Sequence, residues 1–191
     1  AWHSFPTRRS SDLITRVIIP STVVNIGYRA FYDCDNITSV EFLGNGLEII
    51  SESAFDGCGN LVNFTFPSSL QIIGENAFYG CKKITTVNIP DNVISVGSKA
   101  FDGCWMLRTL TIGSGVTELL YRTFSNCDSL VSVTIPDTVI SINNNVFAEC
   151  DSISELQITG TWDSGKNLTI ENLCIDSVNS GYSHVYTRDT Y

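Results

Sequence analysis

The sequence predicts a β-rich repeat solenoid with little helix. The first observation is a motif, Ala-Phe-x-x-Cys, that occurs in four strict copies and two looser ones, with its phenylalanines separated by 24 and then four times by 23 residues. The second is a short apolar alternation of β type inside every interval. The third is that apolar residues at helical spacing never persist for three turns. Repeats of this length cannot bury an apolar face alone, so neighbouring copies must stack.

The first element of each repeat is predicted to be a strand. An apolar anchor stands three residues before an alternating run rich in Val and Ile, as in Ile84-x-x-Val87-x-Ile89. Alternation with a period of two is typical of a strand that buries one face. Proline often follows directly, as Pro90 does, and is expected to end the strand because it cannot donate to a ladder. Seven such anchors occur, at Ile14, Ile37, Leu61, Ile84, Leu107, Leu130 and Ile153.

The remainder of each repeat is predicted to return to the start of the next strand through turns. A second apolar pair, such as Val93-x-x-Val96, is followed by the Phe and Cys corners. The one extra residue behind the 24-residue interval falls in the stretch 43–46, Leu-Gly-Asn-Gly, a corner where an insertion distorts least. The phenylalanines are expected to form an interior spine and not a ligand-stacking platform; they are Phe31, Phe55, Phe78, Phe101, Phe124 and Phe147.

The full pattern Leu-x-x-Val-x-Ile-Pro-x-x-Val-x-x-Ile-x-x-x-Ala-Phe-x-x-Cys resembles the 23-residue BspA-like leucine-rich repeat. The resemblance covers most of the chain, from Ile14 to Ile158, and its main departures are the looser corners at Phe124 and Phe147. It implies a right-handed arc with a parallel strand ladder on its concave face. It also implies surface or secreted proteins of host-associated bacteria and some protists, with roles in adhesion and in binding host proteins.

The pattern divides the chain into three parts. Residues 14–158 are predicted to form a solenoid of about seven coils. Residues 1–13 share nothing with the repeat, resemble translated sequencing-adapter read-through at the end of a metagenomic reading frame, and are expected to be non-native or disordered. Residues 159–191 lose the Phe corner, so we expect a divergent terminal coil or a truncated continuation. On this interpretation the true N-terminus, with any signal peptide, lies upstream.

The composition disfavours two classes of partner. The net charge is −9, and only 16% of residues are charged, against roughly 25% in an average globular chain. Lys and Arg are few and scattered, which argues against nucleic acid because phosphates demand a cationic face. No apolar stretch approaches the ~18 residues that span a bilayer, so membrane insertion is not expected.

The cysteine ladder could in principle form disulfides, bind metal or supply a nucleophile. Six of the seven cysteines belong to it: Cys34, Cys58, Cys81, Cys104, Cys127 and Cys150. Stacked coils hold equivalent side chains in parallel about 4.8 Å apart, whereas bridged Cβ atoms prefer ~3.8 Å. Metal ligands need to converge on one point, and the two histidines, His3 and His184, stand outside the repeats. We therefore expect small buried residues, no cofactor or metal, and no catalytic set.

The best candidate for a binding site is the outward face of the strands, a strip rich in hydroxyl and amide groups with almost no charge. Thr and Ser also suit exposed strands for purely structural reasons. The partner is expected to be a protein or glycan surface, although acids at the corners, such as Asp56 and Asp102, could instead recruit a basic partner. The predicted contact residues are Glu41, Asn63, Thr65, Thr86, Asn88, Thr109, Thr111, Ser132, Thr134 and Gln157.

The resemblance and the low charge together predict a non-catalytic binding module of a cell-surface or secreted adhesin-like protein. One alternative is an intracellular scaffold or immune-modulating protein that uses the same arc. A third is the repeat region of a larger enzyme whose catalytic domain lies elsewhere. Extracellular or cell-surface localisation rests on the resemblance alone.

Overall fold

A computed structural model describes residues 13–62, 64–143, 145–159, 169–170 and 184–187. These residues form a parallel β-solenoid and contain no α-helix, as the repeat pattern predicted. The coils contribute strands to a main ladder, with one interruption, and two-residue strands to a second ladder, and all of the pairings are parallel.

The main ladder is built from the alternating runs and lies in two parts. Strand β1 pairs with β3, and a five-stranded sheet has the order β14-β12-β10-β8-β6. Residues 64–66 of the repeat between these parts carry the same alternation but belong to no strand, and the adjacent Asn63 lies outside the described residues. The strands are β1 Arg16–Ile19, β3 Ser39–Phe42, β6 Thr86–Asn88, β8 Thr109–Thr111, β10 Ser132–Pro136, β12 Glu155–Thr159 and β14 His184–Thr187.

The second ladder contains the residues that close each return segment. Its two sheets have the orders β2-β4-β5-β7 and β13-β11-β9. Ile50 and Ile73, the second residues of β4 and β5, pair with each other and are fully buried. The strands are β2 Asn25–Ile26, β4 Ile49–Ile50, β5 Ile72–Ile73, β7 Ser95–Val96, β9 Glu118–Leu119, β11 Ser141–Ile142 and β13 Thr169–Ile170.

The strand register follows the sequence period and confirms the predicted alternation. Val87 pairs with Leu110, which pairs with Val133, and all three side chains are buried. The prediction that proline follows the strand was wrong in detail for β10, because Pro136 still belongs to that strand. Pro136 is the last residue of that strand and pairs with Thr159, a position where the missing N–H interrupts no further pairing.

Each Phe corner contains two residues in the left-handed region of φ, four positions apart. Their φ angles lie between 52° and 79°, and glycine occupies only three of the twelve positions. A left-handed φ costs an L-residue roughly 1–2 kcal/mol, so the surrounding contacts must enforce it. The pairs are Arg29 and Asp33, Ser53 and Gly57, Asn76 and Gly80, Lys99 and Gly103, Arg122 and Asn126, and Asn145 and Glu149.

The hydrogen bonds of the corner explain this repeated conformation. The N–H groups of Ser53, Phe55 and Gly57 donate to carbonyls of the next coil at 2.8–2.9 Å. The intervening N–H groups of Ala54 and Asp56 close turns onto the carbonyl three residues earlier, at 3.2 and 3.3 Å. Successive N–H groups therefore donate alternately to a carbonyl of the next coil and to a carbonyl of their own coil. This alternation allows a turn-rich segment to be buried without unpaired backbone groups.

The glycine-rich corner absorbs the extra residue as predicted. Gly44 adopts a φ of 73°, and a Cβ placed on Gly46 would lie 1.7 Å from the carbonyl oxygen of Ser21. At Gly46 the backbone therefore passes too close to the previous coil for any side chain.

The core is a continuous column of apolar side chains with the phenylalanine spine at its centre. Successive rings from Phe31 to Phe147 are nearly parallel, at 5–12°, with centroids 5.0–5.8 Å apart. The rings from Phe55 to Phe147 are buried, which confirms that this part of the spine is interior, whereas Phe31 at the first corner is half-buried. A side cluster of Phe42, Phe64 and Phe66 packs against the spine at Phe78.

Phe78→Ala should lower the free energy of unfolding by about 3–5 kcal/mol, because it removes a buried ring that touches both neighbouring coils. Urea denaturation measures this loss. Tyr79→Ala is the matched control, since Tyr79 is the next residue and its side chain is 43% exposed. Equal losses in the two variants would contradict an interior spine.

Gly80→Ala should cost about 1 kcal/mol through backbone conformation alone. Gly80 has a φ of 66°, and a Cβ there would meet nothing within 4 Å, so no steric clash contributes. Gly27→Ala is the control, because its site is equally open and its φ is not left-handed. Gly27→Ala should leave stability unchanged or raise it slightly by restricting the unfolded chain. The same urea titration compares the two, and equal stabilities would refute the conformational argument.

Candidate functional site

The strand strip is the outward face of the main ladder, and the parallel pairing arranges its side chains in two straight rows. In the first row Thr86 pairs with Thr109, and Thr109 with Ser132. In the second row Asn88 pairs with Thr111, and Thr111 with Thr134. Adjacent members of a row lie about 4.8 Å apart, the spacing of paired strands. The pairing therefore produces a regular array of hydroxyl and amide groups.

Exposure differs along the strip. Glu41, Thr65, Asn88, Thr109 and Thr111 are exposed, as predicted. The remaining described members are half-buried; they are Thr86, Ser132, Thr134 and Gln157. Asn63 lies outside the described residues, so its predicted place on the strip stays a prediction.

One end of the strip carries its charged contact. Arg16 donates to Glu41 across the first two coils at 2.5 Å, and both side chains are about half exposed. The neighbouring Ile18 is 47% exposed. From Thr86 to Thr134 no residue of the strip is charged. Its central part can therefore offer hydrogen bonds to a partner but no ion pairs.

The corner acids are less available than the sequence suggested. Asp102 is only 3% exposed, accepts a hydrogen bond of 2.6 Å from Asn126 Nδ2, and lies 3.9 Å from Arg122. Asp102 is therefore a poor candidate for the alternative in which corner acids recruit a basic partner, because neighbouring coils close over it. Asp56 is half-buried and accepts a hydrogen bond from the Ser53 hydroxyl at 3.1 Å.

The cysteines act as buried donors along the stack. None of the six ladder cysteines forms a disulfide, and all six are buried. From Cys58 onward, each Sγ lies 3.1–3.5 Å from the carbonyl oxygen of the phenylalanine in the preceding coil. Sequence analysis anticipated their burial but missed this contact, which depends on the position of the neighbouring backbone.

Burial also makes these thiols poor nucleophiles. It raises the pKa of Cys58 to about 12, with the nearby Cys34 thiol adding to the effect. The pKa values of Cys81, Cys104 and Cys127 are raised for the same first reason, desolvation of the thiolate. These thiols therefore stay protonated at neutral pH, whereas the thiolate is the reactive form.

Other chemical sites are sparse in the part of the chain that the structure describes. It contains no group of three or more His, Cys, Asp or Glu side chains placed to hold a metal ion. No helix among the described residues is long and apolar enough to cross a membrane. His3 and the side chain of His184 lie outside the description, so the expectation that they serve no catalytic role stays a prediction.

A second surface feature was missed by sequence analysis. Trp105 and Met106 follow Cys104 directly, and their side chains are 50% and 46% exposed. On the preceding coil Lys82 places its Nζ atom 4.8 Å from the centre of the Trp105 ring. The signal was present in the repeat itself, because most other coils carry small polar residues at these two positions.

Comparison with known proteins supports the repeat assignment. The profile of the BspA type leucine rich repeat region matches in six copies, over residues 9–131 and 71–186. A leucine-rich repeat protein from Bacteroides ovatus is 29% identical with a TM-score of 0.71, over 76% of this chain and 39% of that protein. The T. pallidum leucine-rich repeat protein is 32% identical with a TM-score of 0.67, over 73% and 64%.

A third solved structure is the pneumococcal vaccine antigen PcpA, at 26% identity and a TM-score of 0.66, over 77% of this chain and 36% of that one. The chain therefore spans between about a third and two thirds of these proteins. No match was found among curated protein sequences.

Two aspartates should give opposite pH dependences of stability when replaced by Asn. Desolvation raises the pKa of Asp56 above 3.8, so its folded form holds the proton more tightly than the unfolded chain. Its stabilising contribution is present below pH 3.8 and is lost as pH rises through the folded pKa. Hydrogen bonds from the Ser114 N–H and hydroxyl lower the pKa of Asp91, so its contribution is present above pH 3.8 and is lost on acidification.

Urea midpoints measured across this acidic range should show Asp56→Asn gaining on the wild type as pH rises. Over the same range Asp91→Asn should fall behind the wild type. Parallel pH profiles for the two variants would contradict the assigned causes.

Proposed function

The chain belongs to the BspA-type leucine-rich repeat family, and from that premise we propose that it is a non-catalytic module that binds a protein or glycan surface through its strand strip. We propose further that it forms part of a cell-surface or secreted adhesin-like protein. The observation that carries the proposal is the pair of straight rows of hydroxyl and amide side chains on β6, β8 and β10.

The strip suits recognition because the backbone fixes it before any partner arrives. Strands β8, β10 and β12 are each paired on both sides, and the inward residues of β8 and β10 are buried in the core. A rigid surface loses little conformational entropy on binding, so modest polar contacts can add up to useful affinity. Because its centre is uncharged, affinity should depend only weakly on salt and should not require a basic partner.

The proposed location is supported by relatives. One similar protein is named a vaccine antigen, and a useful antigen must be reachable by antibodies. Since this chain spans only part of such proteins, the activity and partners of the whole protein are included in the proposal.

Two other roles remain as alternatives. An intracellular scaffold or immune-modulating protein could use the same strip, and a larger enzyme could carry the repeats as a non-catalytic region. The coding sequence upstream of residue 1 discriminates between the first two, because an adhesin of this type requires a signal peptide there. The full reading frame would also reveal a catalytic domain.

Thr111→Lys combined with Thr134→Lys should abolish retention of the purified chain on its target cells, because two lysines would occupy the centre of the second row. Flow cytometry of labelled protein on host epithelial cells provides the measurement. Thr117→Lys combined with Ser152→Lys is the matched control, since it makes the same charge change at exposed hydroxyl residues off the strip. The proposal fails if the control pair reduces retention as much as the strip pair does, or if raised salt alone removes all binding.

A further inference from the structure

The two residues after each ladder cysteine form an exposed turn, here called the post-cysteine turn. Four coils fill it with small or turn-forming residues, which bond readily to nearby backbone. The third coil has Lys82 and Lys83 in this turn, and the fourth has Trp105 and Met106. A tryptophan has no role in forming such a turn, so the local backbone does not account for it. The four usual pairs are Asp35-Asn36, Gly59-Asn60, Asp128-Ser129 and Asp151-Ser152.

The backbone that carries the exposed indole is held by hydrogen bonds to the neighbouring coils. The N–H of Met106 donates to the carbonyl of Lys82 at 3.1 Å, and the N–H of Ser129 donates to the carbonyl of Trp105 at 3.1 Å. The turn is thus tied to the coils before and after it. An exposed Trp held on a fixed backbone offers a large apolar contact at little entropic cost, which is why Trp is enriched where proteins bind ligands and partners.

Two shallow hollows lie on either side of the ring. One has a volume of about 350 Å³ and includes Asp35, Asn60 and Met106 in its walls. The other, of about 420 Å³, includes Tyr79, Asp102 and Asn126. Both volumes are within the range of about 300–1,000 Å³ typical of small-ligand sites.

Glycine keeps the hollows open and flat. Gly59 lines the first, and Gly80 and Gly103 line the second. No atom lies within 4 Å of where a Cβ on Gly80 would stand. The ring therefore lies beside two depressions lined partly by glycine backbone, whose walls combine apolar surface with polar side chains such as Asn60 and Asn126.

The first hollow favours an anion, because its two lysines outnumber its one carboxylate, Asp35. Lys82 and Lys83 are the only adjacent cations in the described residues of a chain whose net charge is −9. Both side chains are exposed, and the Lys82 ammonium lies over the indole face, where the ring quadrupole attracts it. A carboxylate bound in the first hollow would meet both lysines beside an apolar ring.

We propose that this surface is a binding site for an acidic oligosaccharide, separate from the strand strip. The C–H face of a sugar ring packs on the exposed part of the Trp105 indole. Its hydroxyl groups bond to the walls of the hollows, including the Asn60 amide and the Tyr79 hydroxyl. Its carboxylate pairs with Lys82 and Lys83.

A protein partner fits these observations less well. A protein hot spot is a well-packed apolar pocket surrounded by contacts that exclude water. Here the exposed apolar side chains are few, namely Trp105, Met106 and Tyr79, and the hollows beside them are also lined by polar side chains, including Asn60 and Asn126. That mixture of one ring face and many hydrogen-bonding groups matches a sugar, which is itself apolar on one face and polar at its edges.

The test is NMR titration of the ¹⁵N-labelled chain, following the indole N–H of Trp105. The probe is a glucuronic-acid-containing tetrasaccharide raised to several times 1 mM, because single shallow sites often bind only at that level. A neutral cellotetraose and an acidic aromatic peptide are titrated in parallel. We expect the acidic sugar to shift the Trp105 signal saturably and to bind at least about tenfold more tightly than the neutral one.

Matched variants show which side chains contact the sugar. Trp105→Ala should abolish binding, and Lys82→Gln combined with Lys83→Gln should reduce the acidic sugar to the affinity of the neutral one. Tyr121→Ala, which removes another exposed aromatic ring on the next coil, should change nothing. Thr111→Lys combined with Thr134→Lys should also leave sugar binding intact, which separates this site from the strand strip. Circular dichroism confirms that each variant stays folded.

Three outcomes would overturn the proposal. One is that no saturable shift occurs with the acidic sugar. Another is that binding survives Trp105→Ala or favours the neutral sugar. The third is that the acidic peptide binds at Trp105 while both sugars do not, which would assign the surface to a protein partner.

Discussion

The stacking of one Phe corner on the next is the contact on which the rest of this molecule depends. No coil contains enough apolar surface to form a core of its own, and each spine ring stacks on the spine rings of adjacent coils. The same corner supplies the hydrogen bonds between coils, because alternate N–H groups such as that of Phe55 point along the stack. Ring packing and backbone pairing therefore require the same 23-residue period. An insertion is tolerated only where neither interaction is interrupted, as at Gly44.

The left-handed residues show how strongly the stack imposes its geometry. Arg29, Lys99 and Arg122 adopt positive φ angles although they carry long side chains and are not glycine or asparagine. The intercoil hydrogen bond made by the N–H of Lys99 to the Tyr121 carbonyl, 3.1 Å long, compensates locally. The stack can hold this strained backbone because a coil inside it is hydrogen-bonded to a neighbour on each side. Glycine is thus favourable at these positions but not required.

In a scaffold of this kind, different residues provide stability and recognition. Inward residues are fixed by the core, while the outward strand positions and the post-cysteine turns face solvent and can vary freely. In the strand strip these variable positions carry similar residues, with hydroxyl and amide groups repeated from coil to coil. In the post-cysteine turns the residues differ at one place, where Lys82 and Trp105 interrupt a series of small polar residues. A uniform surface suits an extended partner, and a local exception suits a compact ligand.

The sequence by itself determined the period, the alternation of each strand and the burial of the phenylalanine and cysteine ladders, because these depend on patterns that repeat at fixed spacing. It also identified the outward positions of the strip, since alternation distinguishes the two faces of a strand. Only the tertiary structure decided which polar groups remain accessible. Asp102 follows a spine phenylalanine as Asp56 does, yet Asn126 and Arg122 of the next coil enclose it. The cysteine contacts with phenylalanine carbonyls and the hollows beside Trp105 likewise depend on where the adjacent coil places its backbone, and that is a property of the stack and not of a single repeat.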